Sequence, residues 1–132
     1  MSLPKTYRLR RRQDFQQVYQ KGRRRTGTHL SVTVLPRPRS LDGSAAKRPD
    51  ATCFGISIGK KVSKKAVVRN LIKRRIKGAL RQSIGQILPG KMVVITCKPS
   101  IIGCDYDEIL RELEKLLLTL EVMNGHQRNN LL

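Results

Sequence analysis

A chain of 132 residues holds enough material for one domain's core and not for two. Its 28 Lys and Arg stand against 9 Asp and Glu, a formal net charge of +19, and only 39 % of it is hydrophobic, with no Trp. A polyanion relieves such self-repulsion, so nucleic acid or an anionic membrane surface is the expected class of partner. The stretch "MSLPKTYRLRRRQDF" lacks the apolar run of a signal peptide and no segment is apolar for the length of a membrane span, so a soluble, cytoplasmic protein is expected.

In chain order, "RQDFQQVYQKG" places Phe15, Val18 and Tyr19 at helical spacing and ends on Gly22, which predicts a short first helix. "THLSVTVLP" alternates Leu30, Val32 and Val34 with Ser31 and Thr33, the pattern of a strand covered on one face. The Pro-, Gly- and Ser-rich stretch 36–50 reads as a flexible loop inside the domain. "TCFGISIG" is a second alternating strand, with Phe54, Ile56 and Ile58 on one side and Cys53, Gly55 and Ser57 on the other. From Gly59 the chain turns strongly basic, and a long helix is expected, capped near Ser63 and ending between Gly85 and Pro89. "KMVVITCKP" is apolar throughout, as in a strand covered on both faces. The last element, "DYDEILRELEKLLLTLE", opens on carboxylates that suit a helix N-terminus and aligns Ile109, Leu113, Leu116, Leu117 and Leu120. The order helix, strand, strand, helix, strand, helix predicts an α/β (α+β) domain, a small mixed sheet packed with helices. It is structured from about residue 9 to 122, with a loose tail at 125–132.

Cys53, Cys97 and Cys104 are odd in number and have no ligand-like spacing, so neither a disulfide framework nor a metal site is expected, and the first two read as packing residues. His29 and His126 are far apart in sequence, and no catalytic constellation or glycine-rich phosphate loop is evident. "DYDE" offers carboxylates for a metal, but at a helix start they are read as a cap.

The basic stretch Gly59 to Gln82 contains ten Lys and Arg and no Asp or Glu. On a helix, Val68, Ile72, Ile76, Ala79 and Leu80 span an arc of about 120° that seats it on a sheet. Asn70, Arg74, Lys77 and Arg81 form a stripe about 60° wide on the other side, flanked by Lys73. Arg69 falls at the margin of the apolar arc. Like charges at these spacings repel, and an ordinary solvated face relieves them with acidic residues, as the last helix does with Glu112 and Glu114 beside Arg111 and Lys115. The unrelieved stripe therefore points to a phosphate backbone. Phe15 and Tyr19, at i and i+4 on the first helix, face strands that carry Ser31, Thr33, Gly55 and Ser57. Aromatic rings beside a basic rim suit splayed single-stranded bases.

"FGISIGKKVSKKAVVRNLIKRRIKGALRQ", with "VVITCKP" after it and "LRRRQDFQQVYQKG" before it, resembles the protein subunit of bacterial ribonuclease P from about Leu9 to Leu120. The resemblance implies a left-handed βαβ crossover, against the general handedness rule, in a fold like that of a domain of a small-subunit ribosomal protein. It implies binding to a catalytic RNA and to the 5′ leader of precursor tRNA. The chemistry of leader removal would be done by Mg2+ held mainly by the RNA, with no active site in this chain. It places Lys60, Lys61, Lys64, Lys65, Arg69, Asn70, Lys73, Arg74, Lys77 and Arg81 against the catalytic RNA, and Phe15, Tyr19, Ser31, Thr33 and Ser57 in the leader cleft. Thr33 stands where the family often has a third aromatic, and Leu71 where it has another basic residue. A ribosomal scaffold protein would share the charge but needs no aromatic cleft. A DNA compactor would not need this alternating fold, and membrane binding would need the apolar face that the core uses.

Overall fold

The computed structural model describes residues 8–9, 12–36 and 51–123. The loop expected at 36–50 lies outside the described residues from 37 onward, as does the tail expected at 125–132. Helix α1 (Arg12–Lys21) leads into strands β1 (Arg23–Thr26), β2 (Leu30–Pro36) and β3 (Cys53–Ser57). Helix α2 (Ala66–Gln82), strand β4 (Lys91–Cys97) and helix α3 (Tyr106–Thr119) follow, with short 3-10 turns at Ile84–Gln86 and Pro99–Gly103. The strands form one mixed sheet in the order β1-β2-β4-β3, antiparallel except for the parallel pair β3 and β4, which α2 connects. No described helix is long and apolar enough to cross a membrane.

Register decides which residues share a face, since directly paired residues point the same way. Val32, Ile95 and Ile56 are in one row, Val34, Val93 and Phe54 in the next, and Leu30 pairs with Cys97. This face carries α2 and α3 and holds the main core, in which Leu30, Val32, Ile76, Leu80, Ile95 and Leu117 are fully buried. The opposite face carries α1, whose Val18 is fully buried against Met92 and Val94 in a smaller cluster that includes Phe15.

Two expectations need correction. Strand β2 is covered on both faces: Ser31 is 6 % and Thr33 2 % exposed, because α1 lies on the side that alternation left open to solvent. Strand β1 was not anticipated at all. "RRRT" has no apolar alternation, and it pairs with β2 along a sheet edge with every residue exposed. The other edge, β3, is partly covered by the N-terminal segment, where the Leu9 amide donates to the Phe54 carbonyl at 2.8 Å.

The ends of the helices follow from local chemistry. Asp105 and Glu108 form a reciprocal capping box at the start of α3, with the Glu108 amide donating to Asp105 Oδ1 at 2.9 Å. One turn on, Glu112 Oε2 accepts from the backbone amides of both His29 and Leu30 at 2.7 Å, which pins the β1–β2 turn to α3. Helix α2 packs beside α3 at Gly78, where an added Cβ would stand 3.4 Å from the Tyr106 ring, and the Tyr106 hydroxyl donates to Gln82 Oε1 at 2.7 Å. Cys53 and Cys97 are buried strand residues, and burial pushes the Cys97 thiol up to about 12 despite the nearby Lys73 ammonium, consistent with a packing role.

Candidate RNA interface

The basic helix presents two faces, as its periodicity requires. Ile72, Ile76, Ala79 and Leu80 are buried and Val68 is half-buried against the core. Asn70, Arg74 and Arg81 are exposed on the far side, with Lys77 half-buried among them. Lys73 flanks the stripe, half-buried toward the end of β4, close enough to Cys97 to act on its thiol.

The approach to this helix differs from the expected cap. The N-cap position is Lys65, and it makes no side-chain capping bond. Ser63 lies outside the helix, where its Oγ accepts from the Lys65 amide at 3.2 Å. The first turn contains no acidic residue, so its amide groups and the positive end of the helix dipole are left uncompensated. Lys60, Lys61, Lys64 and Lys65 are all exposed around that end. The loop holding them is anchored from within: Val62 is buried in the main core, and its amide donates to the Gly59 carbonyl at 3.0 Å. A helix N-terminus ringed by cations is suited to binding phosphate.

Arg69 and Arg75 have other partners. The Arg69 guanidinium donates to the Ser63 carbonyl at 2.9 Å, tying the lysine loop to the first turn of α2. Arg75 donates to the Cys104 carbonyl at 3.0 Å and so links α2 to the segment before α3. Arg69 therefore shapes the basic surface more than it extends the stripe.

The second part of the interface is the sheet face under and beside α1. The tip of the Phe15 ring abuts Gly55: a Cβ there would overlap its Cζ and Cε1 atoms. Only glycine leaves room for this contact. Gly22, between α1 and β1, is equally constrained, with Thr33 Cγ2 at 2.8 Å and the Val34 carbonyl oxygen at 2.8 Å from an added Cβ. Thr33 is thereby covered, and its hydroxyl is buried without a hydrogen-bond partner, so it offers no open surface for a ligand.

Tyr19, one turn beyond Phe15, is 40 % exposed, and its hydroxyl is 3.0 Å from Thr96 Oγ1. Thr96 pairs with Ser31 on one side and Ser57 on the other, and Ser31 pairs with Thr26 of β1. The result is a row of four hydroxyl residues running across the sheet beneath the tyrosine, from the arginine-bearing edge strand to the end of β3. Ser31 is buried within this row and Ser57 half-buried. From Ser57 the chain passes through Ile58 and Gly59 into the lysine loop, so the polar row and the loop adjoin along the chain. Thr96 was missed from sequence because "VVITCKP" reads as apolar; the signal would have been its pairing with Ser31 and Ser57, which needs the strand order.

Comparison with known proteins gives the family. Residues 3–121 match the family model described as Ribonuclease P. The chain is similar to the ribonuclease P protein component of Microcystis aeruginosa, 44 % identical over 126 residues and covering 96 % of this chain and 100 % of the relative. It is similar to that of Synechocystis sp., 44 % identical over 133 residues and covering all of both. Among solved structures, the RNase P protein of Staphylococcus aureus superimposes with a TM-score of 0.74 at 25 % identity, covering 89 % of this chain and 98 % of the other. The RNase P protein from Thermotoga maritima shares the fold, with a TM-score of 0.69 at 22 % identity, over 89 % of this chain and 98 % of that one.

Proposed function

Because the chain belongs to the ribonuclease P protein family, we propose that it binds the catalytic RNA through α2 and its lysine loop, and the 5′ leader of precursor tRNA in the groove beside α1. Asn70, Arg74, Lys77 and Arg81 face the RNA backbone, with Lys60, Lys61, Lys64 and Lys65 around the uncompensated helix end. Arg69 and Lys73 lie beside them, the first fixing the loop and the second standing at the edge of the stripe. In the groove the Tyr19 ring is the stacking platform for a splayed base. Phe15 forms the floor with Gly55, and Ser57 and Thr96 border the path. Thr33 and Ser31 support this floor from within.

The observation that carries this reading is a half-exposed tyrosine above a polar row whose last residue, Ser57, leads along the chain into the lysine loop. Stacking on one aromatic contributes about 1–3 kcal/mol for a single-stranded base, and phosphate contacts supply the sequence-independent remainder. The chain supplies cations and a stacking surface. Hydrolysis is assigned to Mg2+ held mainly by the RNA subunit, and this protein assists by lowering the repulsion between RNA, substrate and metal-rich active region. The work takes place in the cytoplasm, where the three thiols stay reduced.

The test is precursor tRNA cleavage by the RNA subunit with and without this protein across a magnesium series. The protein is expected to lower the magnesium concentration needed for half-maximal cleavage. An unchanged requirement would remove the proposed role in metal support.

A further inference from the structure

The segment "DYDE", with Cys104 directly before it, gains in His29 a neighbour that its sequence does not show. A ring nitrogen of His29, Sγ of Cys104 and a carboxylate oxygen of Glu108 lie within 4.8 Å of one another. They come from the β1–β2 turn, the residue that ends the second 3-10 turn, and the first turn of α3. We propose that these three side chains form a binding site for Zn2+, separate from the RNA interface described above.

The donor set is one that zinc takes: imidazole, thiolate and carboxylate, with water completing a tetrahedron. Bonds of about 2.0–2.3 Å place tetrahedral ligand atoms roughly 3.3–3.8 Å apart, so the cluster has to contract by about an ångström. Glu108 keeps Oε1 on the Asp105 amide in the capping box, so its other oxygen and the half-buried His29 ring have to close on Cys104, which is held in place. Its amide donates to the Ile101 carbonyl at 3.0 Å and its own carbonyl accepts from Arg75.

The surroundings of the imidazole resemble those of a metal ligand. The Ser100 hydroxyl directs its proton to the Thr28 carbonyl at 3.2 Å, so its contact with His29 Nδ1 at 2.8 Å must be donated by the ring. A second partner on one ring nitrogen is how a ligating histidine is oriented. Glu112, through the His29 and Leu30 amides, fixes the turn itself.

Electrostatics act in the same direction. In a chain of net charge +19, this corner gathers carboxylates. Glu108, Glu112 and Asp105 stand around the Cys104 thiol, and their negative charge favours a cation there. Binding replaces the S–H bond with a sulfur–zinc bond and releases one proton to solvent. Bound zinc would staple the β1–β2 turn to the start of α3.

The test uses the purified full chain without RNA, with Co2+ as the spectroscopic probe and Zn2+ as competitor. One equivalent of Co2+ is expected to produce a thiolate-to-cobalt band in the near ultraviolet and the visible bands of a tetrahedral ion, both lost on adding Zn2+. Cys104→Ser should abolish the near-ultraviolet band. His29→Gln should weaken Zn2+ binding by about tenfold or more, and His126→Ala should leave it unchanged. Absence of the thiolate band in the unaltered protein, or its survival in Cys104→Ser, would overturn the proposal. Should Cys104→Ser fail to fold by circular dichroism, the exposed Glu108→Gln decides: weakened Zn2+ binding supports the site, and unchanged affinity refutes it.

Discussion

Replacing Arg74, Lys77 and Arg81 together with alanine should weaken binding of the protein to the ribonuclease P RNA by about tenfold or more at physiological salt. The dependence of log K on log salt should flatten by roughly two to three, one increment for each phosphate no longer neutralised. The expectation rests on where these side chains stand: on the face of α2 opposite Ile72, Ile76 and Leu80, with no acidic residue on the helix to occupy them. Protein stability should not fall. Removing like charges three and four residues apart relieves a few tenths of a kcal/mol of repulsion per pair, so a urea titration should show equal or slightly raised stability. Unchanged affinity and salt slope would mean that the stripe is only a solvated face. Arg69 is left out of this set because its guanidinium holds the Ser63 carbonyl, and its loss would disturb the lysine loop as well as any RNA contact.

The second large effect is expected at Gly55. A valine there would drive a methyl-bearing carbon into the Phe15 ring, whose Cζ already stands 2.3 Å from the position of an added Cβ. Overpacking of this kind costs about 1–3 kcal/mol, measured as a lowered midpoint in urea. Because α1 rests on this contact and on Val18, the helix should shift and binding of leader-bearing precursor should weaken with it. Phe15→Ala in the same chain should recover part of the stability, since the two substitutions act on one contact and cannot be additive. Full additivity would show that the strain is released elsewhere.

The division of α2 into a core face and an exposed basic face was legible in the sequence because a helix repeats every 3.6 residues, so spacing alone separates the two. The stripe of α3 was legible for the same reason, and its five apolar positions are all buried. Strand β4 was legible from its continuous apolar run. What could not be read depended on which elements become neighbours. The alternation in β2 suggested an open face at Ser31 and Thr33, but α1 and Gly22 cover it. Strand β1 is held by pairing with β2 and has no pattern of its own, so three consecutive arginines concealed a strand. The end of α2 near Ser63 was misplaced because a serine suggests a cap, whereas this helix starts uncapped at Lys65. Arg69 lay at the margin of the apolar arc by angle alone, and its hydrogen bond back to the loop accounts for that position. Thr96, which supports Tyr19, and His29, which joins Cys104 and Glu108, come from strands and turns distant in sequence.

The proposed leader site would let the protein distinguish precursor from mature tRNA, since only the precursor carries a single-stranded leader to stack on Tyr19. The direct measurement is the affinity of the reconstituted holoenzyme for precursor and for mature tRNA, with the unaltered protein and with Tyr19→Ala. The Tyr19 ring is 40 % exposed and bonded to Thr96 only through its hydroxyl, so its removal should leave the fold intact. The variant should bind precursor about 5- to 150-fold more weakly, the equivalent of one stacked base at about 1–3 kcal/mol, and mature tRNA as before. Equal losses for both substrates, or none for either, would contradict the assignment of this groove to the leader.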